Sequence, residues 1–539
     1  MGVFMIKVFM AYLTPDVSSE EHLGTASIAA YLEQHFVPVL LKRIPFEPEN
    51  PNIEKMFQEL PEDVKLFGFP LFNTNAEVIY RLAKKIKERD NECKIFVGGR
   101  LATDAYDLIL NDCADIDFVV LGDGEVPVWK VVEAMEAGKN LSGLPSIVLQ
   151  GQTKVEDKYP YIVDINEIPW VSRQYLEQII ELGSGTARLT TSRGCCANCS
   201  FCSFNSYSNK MKSKRWQGRD IKDIYHEVID LYNRYGIRSF SFNDGSFEDP
   251  GKLGKERIRE FCNLIIAYPV KFHFWCFLRA ETFSEEEIEL IKLMKRAGFS
   301  EVFIGVEAGN DADLKVYNKR ATVEDNRRSI RLFEENDINV LFGFIMFNPF
   351  STRDTLRKNY EFLIENNNWR PHAFAGKVAL YYKTALQIRC ENEGLLTEEF
   401  SYLNPMGYRF KDPDVFPLWD FIEKHLLSSI VFRKYDVDIF YFNNFFNDMV
   451  AIFPEEMLIY VPKYKKLMKD FAMVQAEYFK NLYVNYDLFT AKQQLEGFEH
   501  KMSSIIKAMN AFKLSIIVNE PFKSFIWEVL GRSKKGQKM

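Results

Sequence analysis

Histidine is scarce, seven residues in 539, and none lies in the segment where cysteine concentrates, residues 190–202. A tetrahedral zinc site there would lack its usual fourth side chain. Long apolar runs are missing as well. Stretches such as 339–347 are short enough to be buried strands, so no bilayer-crossing helix is expected. Residues 1–12 have no charged start, extended apolar centre or small-residue cleavage site, which argues against a secretory leader and places the protein in the cytoplasm. Positive charge is not in excess: the net charge is −7 and the sequence pI about 5.8. That balance, with no helix-turn-helix pattern and no positive face, excludes a general nucleic-acid binder. Nor is there a disulfide framework, because the nine cysteines are odd in number and only four cluster. Internal repeats and low-complexity stretches are absent. So is a GxGxxG fingerprint, which removes the usual dinucleotide site.

What is present is a chain too long for one core, which divides into two to four domains. Its most informative stretch reads Thr190-Thr191-Ser192-Arg193-Gly194-Cys195-Cys196-Ala197-Asn198-Cys199-Ser200-Phe201-Cys202. Cys195, Cys199 and Cys202 stand in a CxxxCxxC spacing, with aromatic Phe201 just before the third. Three thiolates on one short loop can take three corners of a cubane iron–sulfur cluster and leave the fourth iron open for a small ligand. Cys196 falls outside the spacing and reads as a non-ligand. Cys93, Cys113, Cys262, Cys276 and Cys390 lie in apolar surroundings and read as core. The basic run that follows, Lys210, Lys212, Lys214, Arg215 and Arg219, is a solvated loop or a landing site for an acidic substrate or an electron donor.

Strand and helix alternate around this loop. Over residues 1–140, strands at 6–12, 37–41, 64–69, 94–97 and 117–121 alternate with helices at 26–34, 76–89, 104–110 and 126–137. This is an α/β, Rossmann-like pattern, a doubly wound parallel sheet with its ligand at the carboxyl ends of the strands. Those ends carry Gly68-Phe69-Pro70, Gly98-Gly99 and Gly122-Asp123-Gly124-Glu125. Residues 141–185 read as a linker with a hairpin at 146–149 and 153–155. From 186 to 390, six further β/α units, among them a helix at 353–365 and a last strand at 377–382, predict a partial (β/α)6 barrel of TIM type. Its strand ends bring Asp244, Arg279, Glu307, Asn348 and Tyr382 to one mouth with the cysteines. Residues 391–539 predict a mainly helical, substrate-associated domain, with Tyr464, Leu467, Phe471, Val474, Tyr478 and Leu482 on one helical face. The aromatic run at 439–446 lines a substrate pocket or packs a core, and 532–539 is a basic tail.

These motifs resemble the radical S-adenosylmethionine (radical SAM) enzymes, and within them the large class with an N-terminal cobalamin-binding domain. The cysteine loop, "SFNDGSF", "FLRAE" and "GVEAGNDADLKVYNK" are similar to successive strand-end motifs of that family's barrel. "LFGFPLFNTN", "IFVGGRLATD" and "DFVVLGDGE" are similar to strand ends of its cobalamin domain. The resemblance covers about residues 1–390. It implies a [4Fe-4S] cluster on Cys195, Cys199 and Cys202. SAM would be held near Phe201, Asp244, Arg279, Glu307, Gly343 and Tyr382, with Glu307 at the ribose. Cobalamin would lie on Gly68, Phe69, Pro70, Gly98, Gly99, Gly122, Asp123, Gly124 and Glu125. The DxHxxG motif of many mutases and methionine synthases, whose histidine ligates cobalt, is absent, so cobalt is expected to lack a histidine lower ligand. A Rossmann-like domain without a cofactor is the alternative.

The implied reaction is methylation of an unactivated sp³ carbon of a peptide or small natural product, with two SAM consumed. One SAM gives a 5′-deoxyadenosyl radical at the reduced cluster, and the other donates its methyl through methylcobalamin. No catalytic residue is assigned beyond the cluster and cofactors. Competing readings are rearrangement, cyclisation or oxidation with the same cofactors, and a non-catalytic sensor. The implied partners are the substrate and an electron donor such as flavodoxin or ferredoxin, with no nucleic acid and no membrane.

Overall fold

The computed structural model describes residues 6–15, 20–152, 164–181, 185–204, 215–398 and 401–524. The expected strand at 153–155, Lys210, Lys212, Lys214 and the basic tail lie outside the described residues. Among the described residues, no helix is long and apolar enough to cross a membrane.

The first unit is built on strands β1 Val8–Pro15, β2 Val39–Phe46, β3 Leu66–Pro70, β4 Lys94–Gly98 and β5 Phe118–Val120. Every residue of β3 is buried, as a central parallel strand covered on both faces requires. Helices α1 Leu23–Gln34, α2 Ile53–Gln58, α3 Ala76–Arg89, α4 Arg100–Asp112 and α5 Glu125–Glu136 supply the cover. In α3, Ala76, Ile79, Leu82, Ala83 and Ile86 recur at three- and four-residue intervals and are buried. A sixth strand, β6 Ile147–Leu149, pairs antiparallel with β5. That pairing buries Ile147 and Val148 at the sheet edge, and the second strand of the hairpin expected around Gly151, 153–155, lies outside the described residues. The strand order is β2-β1-β3-β4-β5-β6. Because β1 pairs with β2 on one side and β3 on the other, the winding reverses there, and a ligand crevice opens at the carboxyl ends.

The second unit begins with β7 Thr186–Leu189, then a small antiparallel ladder of β8 Ser192–Gly194 and β9 Trp216–Gly218. Strands β10 Ser239–Phe242, β11 His273–Arg279, β12 Phe299–Glu307 and β13 Asn339–Phe344 extend β7 into a parallel sheet in chain order. Phe242 packs on Phe274 with ring centroids 5.5 Å apart, part of the aromatic layer beneath the helices. The period of two along β12 sets Glu301, Phe303, Gly305 and Glu307 on one face and Val302, Ile304 and Val306 on the other. The sixth strand expected at 377–382 is reduced to one parallel bridge, Phe347 to Lys377. Beyond it the chain turns away to the first unit, where Lys383 Nζ donates to Asp104 O at 2.8 Å.

Helices Ile430–Ile452, Val461–Tyr483 and Leu488–Ile517 share one core with this barrel. Leu467, Phe471, Tyr478 and Leu482 are buried on the face the sequence predicts. The aromatic run is core packing: Ile439, Phe442 and Phe446 are buried. Between them, Asn443 and Asn447 donate to Glu301 Oε2 at 3.2 and 2.7 Å, at the amino end of β12.

Burial, reinforced by the nearby Asp448 carboxylate, pushes the Glu301 pKa from 4.5 up to about 7. The folded protein therefore keeps a proton that the unfolded chain has already released, and stability falls as pH rises from about 4.5 through 7. Glu301→Gln should remove that loss, adding roughly 3 kcal/mol at pH 8 and little below pH 5. Urea unfolding of both proteins at the two pH values checks it.

Candidate functional site

The cysteine loop leaves the carboxyl end of β7 and is held from several sides. Gly194 sits at φ +108°, and a Cβ there would lie 2.0 Å from Arg215 O, so only glycine fits the ladder. Asp244, at the end of β10, accepts from the backbone N–H groups of Thr191 (2.8 Å) and Ser192 (3.0 Å) and from the Thr191 hydroxyl. Asp249 accepts from Cys196 N at 2.7 Å. Arg279 pairs with Glu248, Asp249 and Glu281. On the other side, Ser200 N donates to Tyr317 O at 2.8 Å, Ser200 Oγ to Val316 O at 2.8 Å, and Asn318 Nδ2 to Asn198 O at 2.7 Å. Phe201 meets Tyr317 edge-on, with centroids 5.4 Å apart. The side chains of Asp244 and Arg279 thus shape the loop.

Burial pushes the Cys195 thiol up to about 12 and the Cys199 thiol up to about 11. Cys195 and Cys199 are within electrostatic reach of each other, and Cys199 of Cys202. Among the described residues, no three His, Cys, Asp or Glu side chains group around a single metal-ion position.

Beside the loop, Glu307 ends β12 at a bulge, with φ +67° turning it out of the strand run. Its carboxylate lies next to Gly305 and Gly343: a Cβ on either glycine would come within 3.2 and 3.3 Å of its oxygens. Burial raises the Glu307 pKa, and the Lys319 charge works against that rise. Lys319 Nζ is 3.9 Å from Glu307 Oε1 and donates to Gly305 O at 2.7 Å. The same ammonium reaches Cys199 electrostatically and lowers its thiol pKa against burial. No spacing rule marks Lys319, although it falls inside the motif around Glu307. Asn348, expected at the mouth, lies beneath it, donating to Asp313 Oδ1 (2.8 Å) and the Tyr317 hydroxyl (3.1 Å). Arg219, expected on a solvated loop, is buried, with Glu227 at 2.7 Å and Asp223 at 2.5 Å.

A cavity of about 740 Å³ opens between the first sheet and the cysteine loop. Its lining takes in Phe69, Pro70, Gly98, Gly99 and the whole of Gly122-Asp123-Gly124-Glu125 from one side. Gly194, Gly245 and Ser203, neighbours of the cysteines, line the other, and Tyr381 and Tyr382 line it as well. Gly68 stands apart: a Cβ there would strike the Phe96 ring at 2.3 Å, so this glycine makes room for packing. A corrinoid needs such bare strand ends, and glycine supplies them at four of the lining positions.

A histidine that no motif marks, His22, also lines the cavity. Its Nδ1 lies at the start of α1, 3.2 Å from Thr25 N and 2.9 Å from Thr25 Oγ1. Burial and the Arg188 charge keep the ring neutral, lowering its pKa to about 4.

Comparisons with known proteins agree with this arrangement. The radical SAM superfamily model matches residues 189–363, and the B12 binding domain model matches residues 14–132. An uncharacterized methyltransferase of Pyrococcus horikoshii is 26% identical over 348 residues, 63% of this chain and 72% of the relative. An anaerobic magnesium-protoporphyrin IX monomethyl ester cyclase of Cereibacter sphaeroides is 28% identical over 363 residues, 65% of this chain and only 55% of the cyclase. The solved structure of OxsB, a cobalamin-dependent S-adenosylmethionine radical enzyme with aqua-cobalamin bound, has the same fold. Its TM-score is 0.69 at 16% identity, over 98% of this chain and 84% of that one.

Proposed function

Since the chain is a cobalamin-dependent radical SAM enzyme, we propose that it methylates an unactivated sp³ carbon of a peptide or small natural product. The observation that carries this reading is the single cavity bounded on one side by glycine strand ends and on the other by the neighbours of Cys195 and Cys202. Two cofactors placed there face one substrate.

In this reading Cys195, Cys199 and Cys202 hold the [4Fe-4S] cluster, and Cys196 does not. When bound, the cluster and SAM supply hydrogen abstraction and cobalamin supplies a methyl carrier. The chain's own residues bind and orient. Glu307 accepts from the ribose hydroxyls of SAM, Lys319 faces its carboxylate, and Gly305 and Gly343 leave space beside them. Asp244 and Arg279 fix the cysteine loop beside the SAM site. Tyr381 and Tyr382 cover the cavity and keep water out. Nine free cysteines suit a reducing compartment, the cytoplasm, with a flavodoxin or ferredoxin as electron donor.

Anaerobic reconstitution with cob(I)alamin and methyl-d₃ SAM tests the proposal. Label on the corrinoid together with 5′-deoxyadenosine supports methylation. Deoxyadenosine with an unlabelled corrinoid rejects methylation and favours the second reading, ring formation without methyl transfer, which the similarity to the cyclase recommends. Neither product overturns both.

A further inference from the structure

Arg193 lies two residues before Cys195, on β8, yet its guanidinium leaves the barrel and enters the first unit. Nη2 is 2.6 Å from Glu125 Oε1 and donates to Ser27 Oγ at 3.1 Å, and Nη1 is 3.3 Å from Asp123 Oδ2. Ser27 Oγ in turn donates to Glu125 Oε1 at 2.6 Å. The Glu125 side chain is only 3% exposed. Burial alone would raise its pKa, but Arg193 more than offsets this and holds the carboxylate charged. The far end of the loop is tied as well. Phe204, two residues after Cys202, lies under the Arg100 guanidinium at 4.6 Å, and Arg100 follows Gly98-Gly99. Each end of the cysteine loop is therefore joined to a different glycine-rich strand end, those of the neighbouring strands β4 and β5.

We propose that Arg193 is a positioning residue: through Glu125, Asp123 and Ser27 it fixes the separation between the cysteine loop and the cavity floor, and so between the two cofactors. Contacts away from the loop also dock the units, such as Arg188 N to Glu21 Oε2 at 2.9 Å. The inference rests on the cofactor placement of the proposed function. Misplacement by about 1 Å costs a transfer step on the order of a hundredfold, whereas a step at one cofactor alone is spared.

The test uses the reconstituted full chain as wild type, Arg193→Met, Arg193→Lys, Glu125→Gln and the Arg193→Met/Glu125→Gln double variant. The distance between cob(II)alamin and the reduced cluster is read by pulsed electron paramagnetic resonance. Iron and cobalt content confirm that each protein has folded and loaded. Arg193→Met should at least double the width of the distance distribution and cut methyl-d₃ transfer to the corrinoid about a hundredfold. Deoxyadenosine release should stay within about twofold of wild type, since it needs no second cofactor. The double variant should be no worse than either single one, and Arg193→Lys should recover part of the loss. An unchanged distance in Arg193→Met overturns the inference. So does weak corrinoid uptake in Glu125→Gln but not in Arg193→Met, which would assign Glu125 to the corrinoid directly. A wild type that fails to load both cofactors refutes the proposed function itself, and is recognised before any variant is compared.

Discussion

Alanine in place of Cys195, Cys199 or Cys202 should abolish the iron–sulfur absorbance and take 5′-deoxyadenosine formation to the assay floor. Cys196→Ala should keep both. The three thiols form an electrostatically linked string along one loop, and the Lys319 charge works against burial at Cys199. Burial holds the free Cys195 and Cys199 thiols protonated, so thiolate forms there when a metal takes the place of the proton. With one ligand gone, two thiolates cannot hold three irons of a cubane. Cys196 differs in what surrounds it. Its backbone N–H is tied to Asp249, and that carboxylate, after burial, is the main reason its thiol pKa is raised. Iron and sulfide analysis with an anaerobic SAM-cleavage assay reads both results, and loss of iron from the Cys196 variant alone would reverse the ligand assignment.

Gly98→Leu should abolish most cobalamin uptake, by about 10- to 100-fold in affinity, while SAM cleavage and the melting temperature change little. Gly98 ends β4 at the cavity wall, and a Cβ there meets only Val120 O at 3.6 Å and Val120 Cβ at 3.7 Å, ordinary contacts. Gly98→Ala should therefore bind cobalamin almost as well as wild type, whereas the larger side chain grows into the space a corrin would occupy. Gly68→Ala is the contrasting case. Its methyl collides with Phe96, so it should cost stability in the first unit before it affects any ligand. Equilibrium dialysis with hydroxocobalamin, alongside thermal melts, separates blocking from unfolding.

Much of this architecture was legible because its periods are strong. The helices Ala76–Arg89 and Arg353–Glu365 have the bounds read from their apolar spacing. Strands at 66–70 and 94–98 differ from expectation by one or two residues. Short pairings were not legible. β6, β8 and β9 have three residues each, too few for a pattern, and what stabilises them is an edge or a partner distant in sequence. The strand expected at 377–382 had the right composition but lost its place. Its Lys377 ammonium lies over Tyr408 and Trp419, and the following residues bind the first unit. Polar residues at strand ends were legible as a set but not in their roles. Asp244 and Asn348 meet buried groups that no local spacing foretells.

The sequence by itself determined the sulfur spacing, the glycine-ended strands and the two β/α series, because each is written in residues a few positions apart. Only the tertiary structure decided that these sites share one cavity. It also decided that Arg193 crosses to Glu125, that Lys319 returns to Glu307, and that Asn443 and Asn447 reach Glu301. Those pairs are 12 to 146 residues apart in the chain. A charge has no periodicity that names its partner; burial against a particular neighbour does so only once the strands have found their order.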